Sequence, residues 1–369
     1  MLDNMTETPE KSPSEPPQRP DRHEGDDSAD MERDTIALPS HVAGSGTLDR
    51  LVETARGYAR AAVSENTLKA YAKDWAHFAR WCRMRGAEPL PASPQLIGLY
   101  IADLAAPGGK APALSVSSIE RRLSGLTWGY AQRGDRLDRK DRHITTVLVG
   151  IRRRHARPPV QKEAILPEDL RDMLATLPHD LRGLRDRAIL LIGFAGGLRR
   201  SEIVSLDHGK DDTPNSGGWV EVLEDGVLLT LRGKTGWREV EIARGSSDQT
   251  CPVHALTQWL HYARIDFGPL FVAVSRNGLK ATGARLSDKH VARLIKQTVE
   301  DAGLRPELSK TERLALFSGH SLRAGLASSA EVDERYVQKQ LGHASAEMTR
   351  RYQRRRDRFR VNLTKAAGL

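Results

Sequence analysis

The spacing of apolar residues changes period along this chain, and that change limits the fold more than any single motif does. After Ser64, the residues Leu68, Tyr71, Trp75, Phe78 and Cys82 recur every three or four positions. That is one stripe on an amphipathic helix, with Ser64 as its N-cap. Ser93-Pro94 opens a second helix through Leu96, Leu99, Tyr100 and Leu104. A third spans 115–133, with Ile119, Leu123, Leu126 and Tyr130 aligned, and a short fourth runs near His143 to Arg152. Beyond Ala164 the pattern differs. A helix starts at Leu166-Pro167-Glu168, with proline in the first turn, and another turns strongly apolar from Ala188 to Phe194. Trp219–Val222, Val227–Arg232 and Glu239–Ala243 then alternate as short strands joined by glycine-containing turns. Helical spacing returns over 252–264, 286–302, 320–330, 333–342 and 345–356. The expected fold is mainly α with a small antiparallel β-sheet: an all-helical domain, then an α+β domain.

Composition divides the chain in the same places. Residues 1–44 are rich in Pro, Ser, Asp and Glu and poor in apolar side chains, so they are expected to be a disordered tail. Eleven acidic and four basic residues lie within 1–34, which leaves the remainder of a +9 chain at +16. The helical domain is assigned to 45–155 and the second domain to 164–369. Between them, 156–163 ends a basic, proline-bearing stretch (Ile151-Arg152-Arg153-Arg154-His155-Ala156-Arg157-Pro158-Pro159) that reads as a linker.

A basic balance favours a polyanionic partner. Nucleic acid fits better than a membrane surface. The longest apolar run, Ala188–Leu198, is too short to span a bilayer and holds three glycines. The first residues carry no signal pattern. Cys82 and Cys251 are the two cysteines, and no Cys/His cluster has zinc spacing. A reducing, cytoplasmic location with no structural metal is expected.

Five segments of the second domain carry candidate chemistry. Gly197-Leu198-Arg199-Arg200-Ser201-Glu202 ends the apolar helix, and Glu202 is placed to orient the Arg199 guanidinium, a good fork for phosphate. Lys234 sits on the turn between two strand patterns. His320-Ser321-Leu322-Arg323 puts an imidazole and a guanidinium on one helix face. In Leu341-Gly342-His343 the glycine ends a helix. Tyr352 follows nine residues after His343 in a basic stretch. Each has an ordinary structural explanation when taken singly: a helix-end arginine, a hairpin lysine, a surface pair, a capping histidine, an anchoring tyrosine.

Taken in order, Arg, Lys, His-x-x-Arg, His and Tyr resemble the active-site signature of the tyrosine recombinases, the phage integrase and Xer family. Gly-Leu-Arg-x-Ser-Glu, His-x-Leu-Arg, and Leu-Gly-His with its distant Tyr carry the match, which covers roughly residues 50–360. The resemblance implies a core-binding domain followed by a catalytic domain. It implies catalytic roles for Arg199, Lys234, His320, Arg323, His343 and Tyr352. Departures are the long polar loop 209–218 and the absence of a frequent proline from the second hairpin strand, which leaves Lys234 the least secure.

The chemistry suits these residue types. Two guanidiniums would stabilise the charge that builds on a phosphate under attack, the task that metal ions perform in many nucleases. Tyrosine, with a free pKa of about 10, needs a base or cationic neighbours before it can attack. His320 is the candidate base and Lys234 the candidate acid for the leaving oxygen. The resemblance implies a 3′-phosphotyrosyl intermediate on double-stranded DNA, no cofactor, and a homotetramer holding two DNA sites. Two other readings remain open at this point: a type IB topoisomerase that relaxes supercoils, and a DNA-binding protein with a dead catalytic fold.

Overall fold

The computed structural model describes residues 48–108, 111–158, 161–210, 213–233 and 236–342, together with 345, 347 and 350. The expected tail 1–44 therefore lies outside the described residues. The chain divides into two compact units, up to Pro158 and from Pro159 onward.

The first unit is helical: α1 (Asp49–Ala61), α2 (Glu65–Arg83), α3 (Pro94–Ala105), α4 (Val116–Ala131) and α5 (Arg142–His155). The serines ahead of α2, α3 and α4 cap them. Ser64, Ser93 and Ser115 accept from the backbone N–H groups of Thr67, Leu96 and Ser118 at 3.4, 3.2 and 3.3 Å. The core joins Trp75, Phe78, Trp81, Cys82, Ile97, Tyr100, Ile101, Leu123, Leu126 and Tyr130. One expectation changes: Leu99 is 64% exposed. Ile97, Tyr100, Ile101 and Leu104 form the true i, i+3, i+4, i+7 set of α3, and Leu99 falls off that face. Asp74 is buried among these helices and is held by the guanidinium of Arg121. Cys82 and Cys251 are both buried and free.

The second unit wraps helices around a small sheet. Its elements are α6 (Pro167–Ala175), α7 (Leu181–Ala195), α8 (Arg200–Val204), β1 (Leu206–His208), β2 (Gly218–Val222), β3 (Gly226–Gly233), β4 (Gly236–Ala243), α9 (Pro252–Ala263), β5 (Gly268–Pro269), β6 (Val272–Val274), β7 (Ala281–Arg285), α10 (Asp288–Asp301), α11 (Lys310–Leu316), α12 (Ser321–Ser329) and α13 (Glu334–Leu341). The main sheet has the order β4-β3-β2-β1-β5, and β6 pairs with β7. It is mixed: β1 and β2 run parallel, and the other pairs are antiparallel. The strands β1, β5 and β6 are two or three residues long, too short to leave an alternating signal in the sequence. The polar loop after β1 has a structural anchor. Buried Asp207 accepts from the backbone N–H of Thr213 at 2.9 Å and from Arg285 Nη2 at 2.5 Å.

The apolar helix α7 lies in the core, packed on α9, and buries Ala188 through Gly193. Trp259 of α9 is fully buried, and its indole N–H donates to Leu270 O at 2.8 Å. Among the described residues no helix is long and apolar enough to cross a membrane.

Candidate active site

The site begins where α7 ends. Gly197 takes a left-handed φ of +56°, which turns the chain sharply. A Cβ there would come within 2.6 Å of Leu341 and 2.9 Å of Leu326. The glycine thus serves both the turn and the close approach of α12 and α13. Arg199 follows in extended backbone, immediately before α8. Its N–H donates to Glu202 Oε2 at 2.9 Å, and its Nη1 donates to Oε1 of the same carboxylate at 2.6 Å. Glu202 orients the guanidinium, as the three-residue spacing suggested.

Glu202 is 7% exposed. Burial alone would raise its pKa. The fork from Arg238, the Arg199 N–H and the two guanidinium charges outweigh burial and hold the pKa at about 2. Arg238 comes from the middle of the hairpin: Nη1 donates to Oε1 at 3.0 Å and Nη2 to Oε2 at 3.1 Å.

His320 precedes α12, and its carbonyl accepts from Ala324 N at 2.9 Å. The turn is braced by Ser321, whose hydroxyl oxygen accepts from Ser318 N at 3.0 Å. Gly319 lies against the stem of Arg200, where a Cβ would sit 3.0 Å from Cβ and Cδ and 3.3 Å from Cγ. The pKa of His320 is lowered from 6.5, first by burial and then by the charges of Arg323, Arg199 and Arg200, with Glu202 opposing. The shift favours the neutral imidazole, the form that can accept a proton. Arg323, one turn on, is 2% exposed. It donates through Nη1 to Gly197 O at 2.6 Å and through Nη2 to Leu341 O at 2.5 Å.

Arg199, His320 and Arg323 are thus brought together from α7–α8 and α12. Lys234, His343 and Tyr352 lie outside the described residues. Near Lys234 and His343, the glycines Gly233, Gly236 and Gly342 are described. Gly233 pairs with Gly236 across the hairpin, and Gly342 caps α13 with a φ of +60°. Sequence reasoning missed Arg238. It shares the inward face of β4 with Val240 and Ile242, which are buried. A charged residue in an inward register was the signal that could have found it.

A family model described as the phage integrase family matches residues 163–358. An integrase/recombinase xerD homolog of Selenomonas ruminantium is 33% identical over 328 residues, covering 85% of this chain and 89% of that protein. A tyrosine recombinase XerD of Mycobacterium tuberculosis (strain H37Rv) is 29% identical over 307 residues, covering 79% and 87%. Among solved structures, XerH site-specific recombinase bound to palindromic difH substrate aligns with a TM-score of 0.54 at 18% identity, over 82% of this chain and 79% of that one. A lambda integrase dimer bound to a COC′ core site aligns with a TM-score of 0.52 at 17% identity, over 85% and 96%. At such identities these two structures speak to the fold alone. The matching family model and the relatives of 33% and 29% identity define the class, a tyrosine-type DNA recombinase. This chain belongs to the phage integrase family, and it is a tyrosine recombinase.

Proposed function

We propose that this recombinase cleaves and rejoins double-stranded DNA at a specific site through a 3′-phosphotyrosyl bond to Tyr352. The observation that carries the reading is the convergence of two arginines and a histidine: Arg323 donates to Gly197 O, two residues before Arg199, and His320 lies one turn before Arg323. Such a centre attracts a backbone phosphate and offers a base next to it.

The steps balance without an external energy source. The Tyr352 hydroxyl gives its proton to His320, and its oxygen attacks phosphorus. The bond from phosphorus to the 5′ oxygen breaks, and Lys234 supplies the proton that this oxygen needs. Arg199 and Arg323 neutralise the charge that builds on the non-bridging oxygens, and His343 donates a further hydrogen bond to them. Rejoining runs the same steps backward with a 5′ hydroxyl as the nucleophile. The phosphoester is exchanged rather than hydrolysed, so no ATP is needed.

In this reading 45–155 is a core-binding domain, 164–369 the catalytic domain and 156–163 the linker between them. Four copies assemble on two DNA sites, and the reaction moves or rearranges a mobile element. Phosphate contacts from the basic surface supply affinity that falls with salt.

The test is a suicide substrate, nicked so that the cleaved strand cannot be rejoined. The wild-type chain is expected to accumulate a protease-sensitive DNA adduct. Tyr352→Phe should bind the same DNA and form none. An adduct of undiminished yield on the Phe protein overturns the assignment of Tyr352. Two-site DNA should give recombinant products. Relaxed circles alone would indicate a topoisomerase instead.

A further inference from the structure

Glu202 is a saturated acceptor. A carboxylate has about four lone-pair sites, and all four are taken here. Oε1 accepts from Arg199 Nη1 and Arg238 Nη1, and Oε2 accepts from Arg199 N and Arg238 Nη2. Two guanidiniums share one buried carboxylate, and they do so unequally. Arg238 holds both oxygens in a parallel fork, while the Arg199 side chain makes one bond to the carboxylate, through Nη1. An arginine facing a lone carboxylate prefers the two-pronged geometry. Arg238 occupies the place that this geometry would need.

We propose that Arg238 is a positioning residue for strand cleavage: by filling Glu202 it keeps the Arg199 guanidinium turned outward, with donors free for the scissile phosphate. This inference rests on the phosphotyrosyl reading given above.

Two further contacts make the position of Arg238 informative. It lies four residues after Lys234, on the second strand of the same hairpin, and pairs with Leu231 across it. Its stem and guanidinium also lie against Gly342, where a Cβ would come within 2.7 Å of Cδ, 2.9 Å of Nε and 3.2 Å of Cζ. One side chain therefore touches the residue just before His343, belongs to the hairpin that carries Lys234, and sets the partner of Arg199. A shift of the hairpin pulls on Glu202, and through it on Arg199. The Nε of Arg238 is buried with no hydrogen-bond partner among the described residues. That unmet donor is a cost accepted for the fork, in a place where an apolar side chain would satisfy the inward face of β4 without one.

A role confined to the fold predicts something different. A charge on the inward face of an edge strand also discourages pairing with other chains. Lysine would serve that purpose equally well, because it keeps the charge. It cannot make two parallel bonds to one carboxylate.

The experiment measures single-turnover cleavage of the suicide substrate, DNA affinity and melting temperature for Arg238→Lys, Arg238→Met, Glu202→Gln and the doubles with Glu202→Gln. Arg238→Lys is expected to bind DNA as wild type does and to cleave it about 10- to 100-fold more slowly, the size of a misplacement effect. In the Glu202→Gln background the same change should cost less than about threefold, because the route from Arg238 to Arg199 is already cut. If Arg238→Met does not fold, Arg238→Lys alone carries the comparison. Wild-type cleavage by Arg238→Lys overturns the proposal. So does a double variant whose losses simply multiply, since Arg238 would then act independently of Glu202. A wild-type chain that forms no adduct removes the phosphotyrosyl reading itself, a failure separate from the two above.

Discussion

The guanidinium of Arg323 donates to the carbonyl oxygen of Gly197 at 2.6 Å. Its second arm reaches Leu341 O at 2.5 Å, so one buried cation joins the segment before Arg199 to the segment before His343. This arginine holds the site together as well as serving it. Arg323→Ala is expected to strand two carbonyls and lose about 3 kcal/mol of stability. For a unit of this size the melting temperature should drop by about 10 °C. Arg323→Lys keeps the charge and should lie between. A thermal melt of Arg323→Ala that matches wild type would show that these bonds do not hold the site.

Gly342 serves two constraints at once. Its φ of +60° disfavours a side chain, and the space over it is filled by Arg238. Gly342→Ala should cost about 1–3 kcal/mol from the backbone alone. It should also displace Arg238 and slow cleavage more than DNA binding. Denaturant unfolding and gel-shift titration of the same variant separate the two effects. Equal losses in cleavage and affinity would count against the displacement.

Cleavage should depend on the neutral form of His320. Its pKa is lowered from 6.5 by burial and by the neighbouring arginines. The rate is therefore expected to rise with pH through a midpoint below 6.5 and to be flat from there to neutrality. Arg200→Ala removes one of the charges that disfavour the imidazolium, so it should move the midpoint upward. A midpoint that does not move, or moves down, would rule out His320 as the group observed.

Glu202 links the site to acid stability. Its pKa falls from 4.5 in the unfolded chain to about 2 in the folded one. A depressed carboxylate stabilises the fold above its unfolded value and loses that contribution as pH falls toward its folded value. The difference corresponds to about 3 kcal/mol, present above pH 4.5 and lost between 4.5 and 2. Glu202→Gln should flatten the stability profile across that window. Urea unfolding at several acidic pH values reads this directly, and an unchanged slope would contradict it.

What the chain alone determined is local. The helix stripes, the serine caps, the alternating strands and the glycine at position 342 were legible because periodicity and backbone preference depend on residues a few positions apart. The ordered set Arg199, Lys234, His320, Arg323, His343 and Tyr352 was legible as a family signature, and so was the pairing of Arg199 with Glu202, three residues on. Tertiary structure decided the rest. Glu202 meets Arg238 across 36 residues, and Arg323 meets Gly197 across 126. The parallel pairing of β1 with β2 and the outward face of Leu99 also came only from the fold. Spacing along a chain reports which face of an element is buried. Which distant group meets a buried charge depends on how the elements pack, and no local period records that.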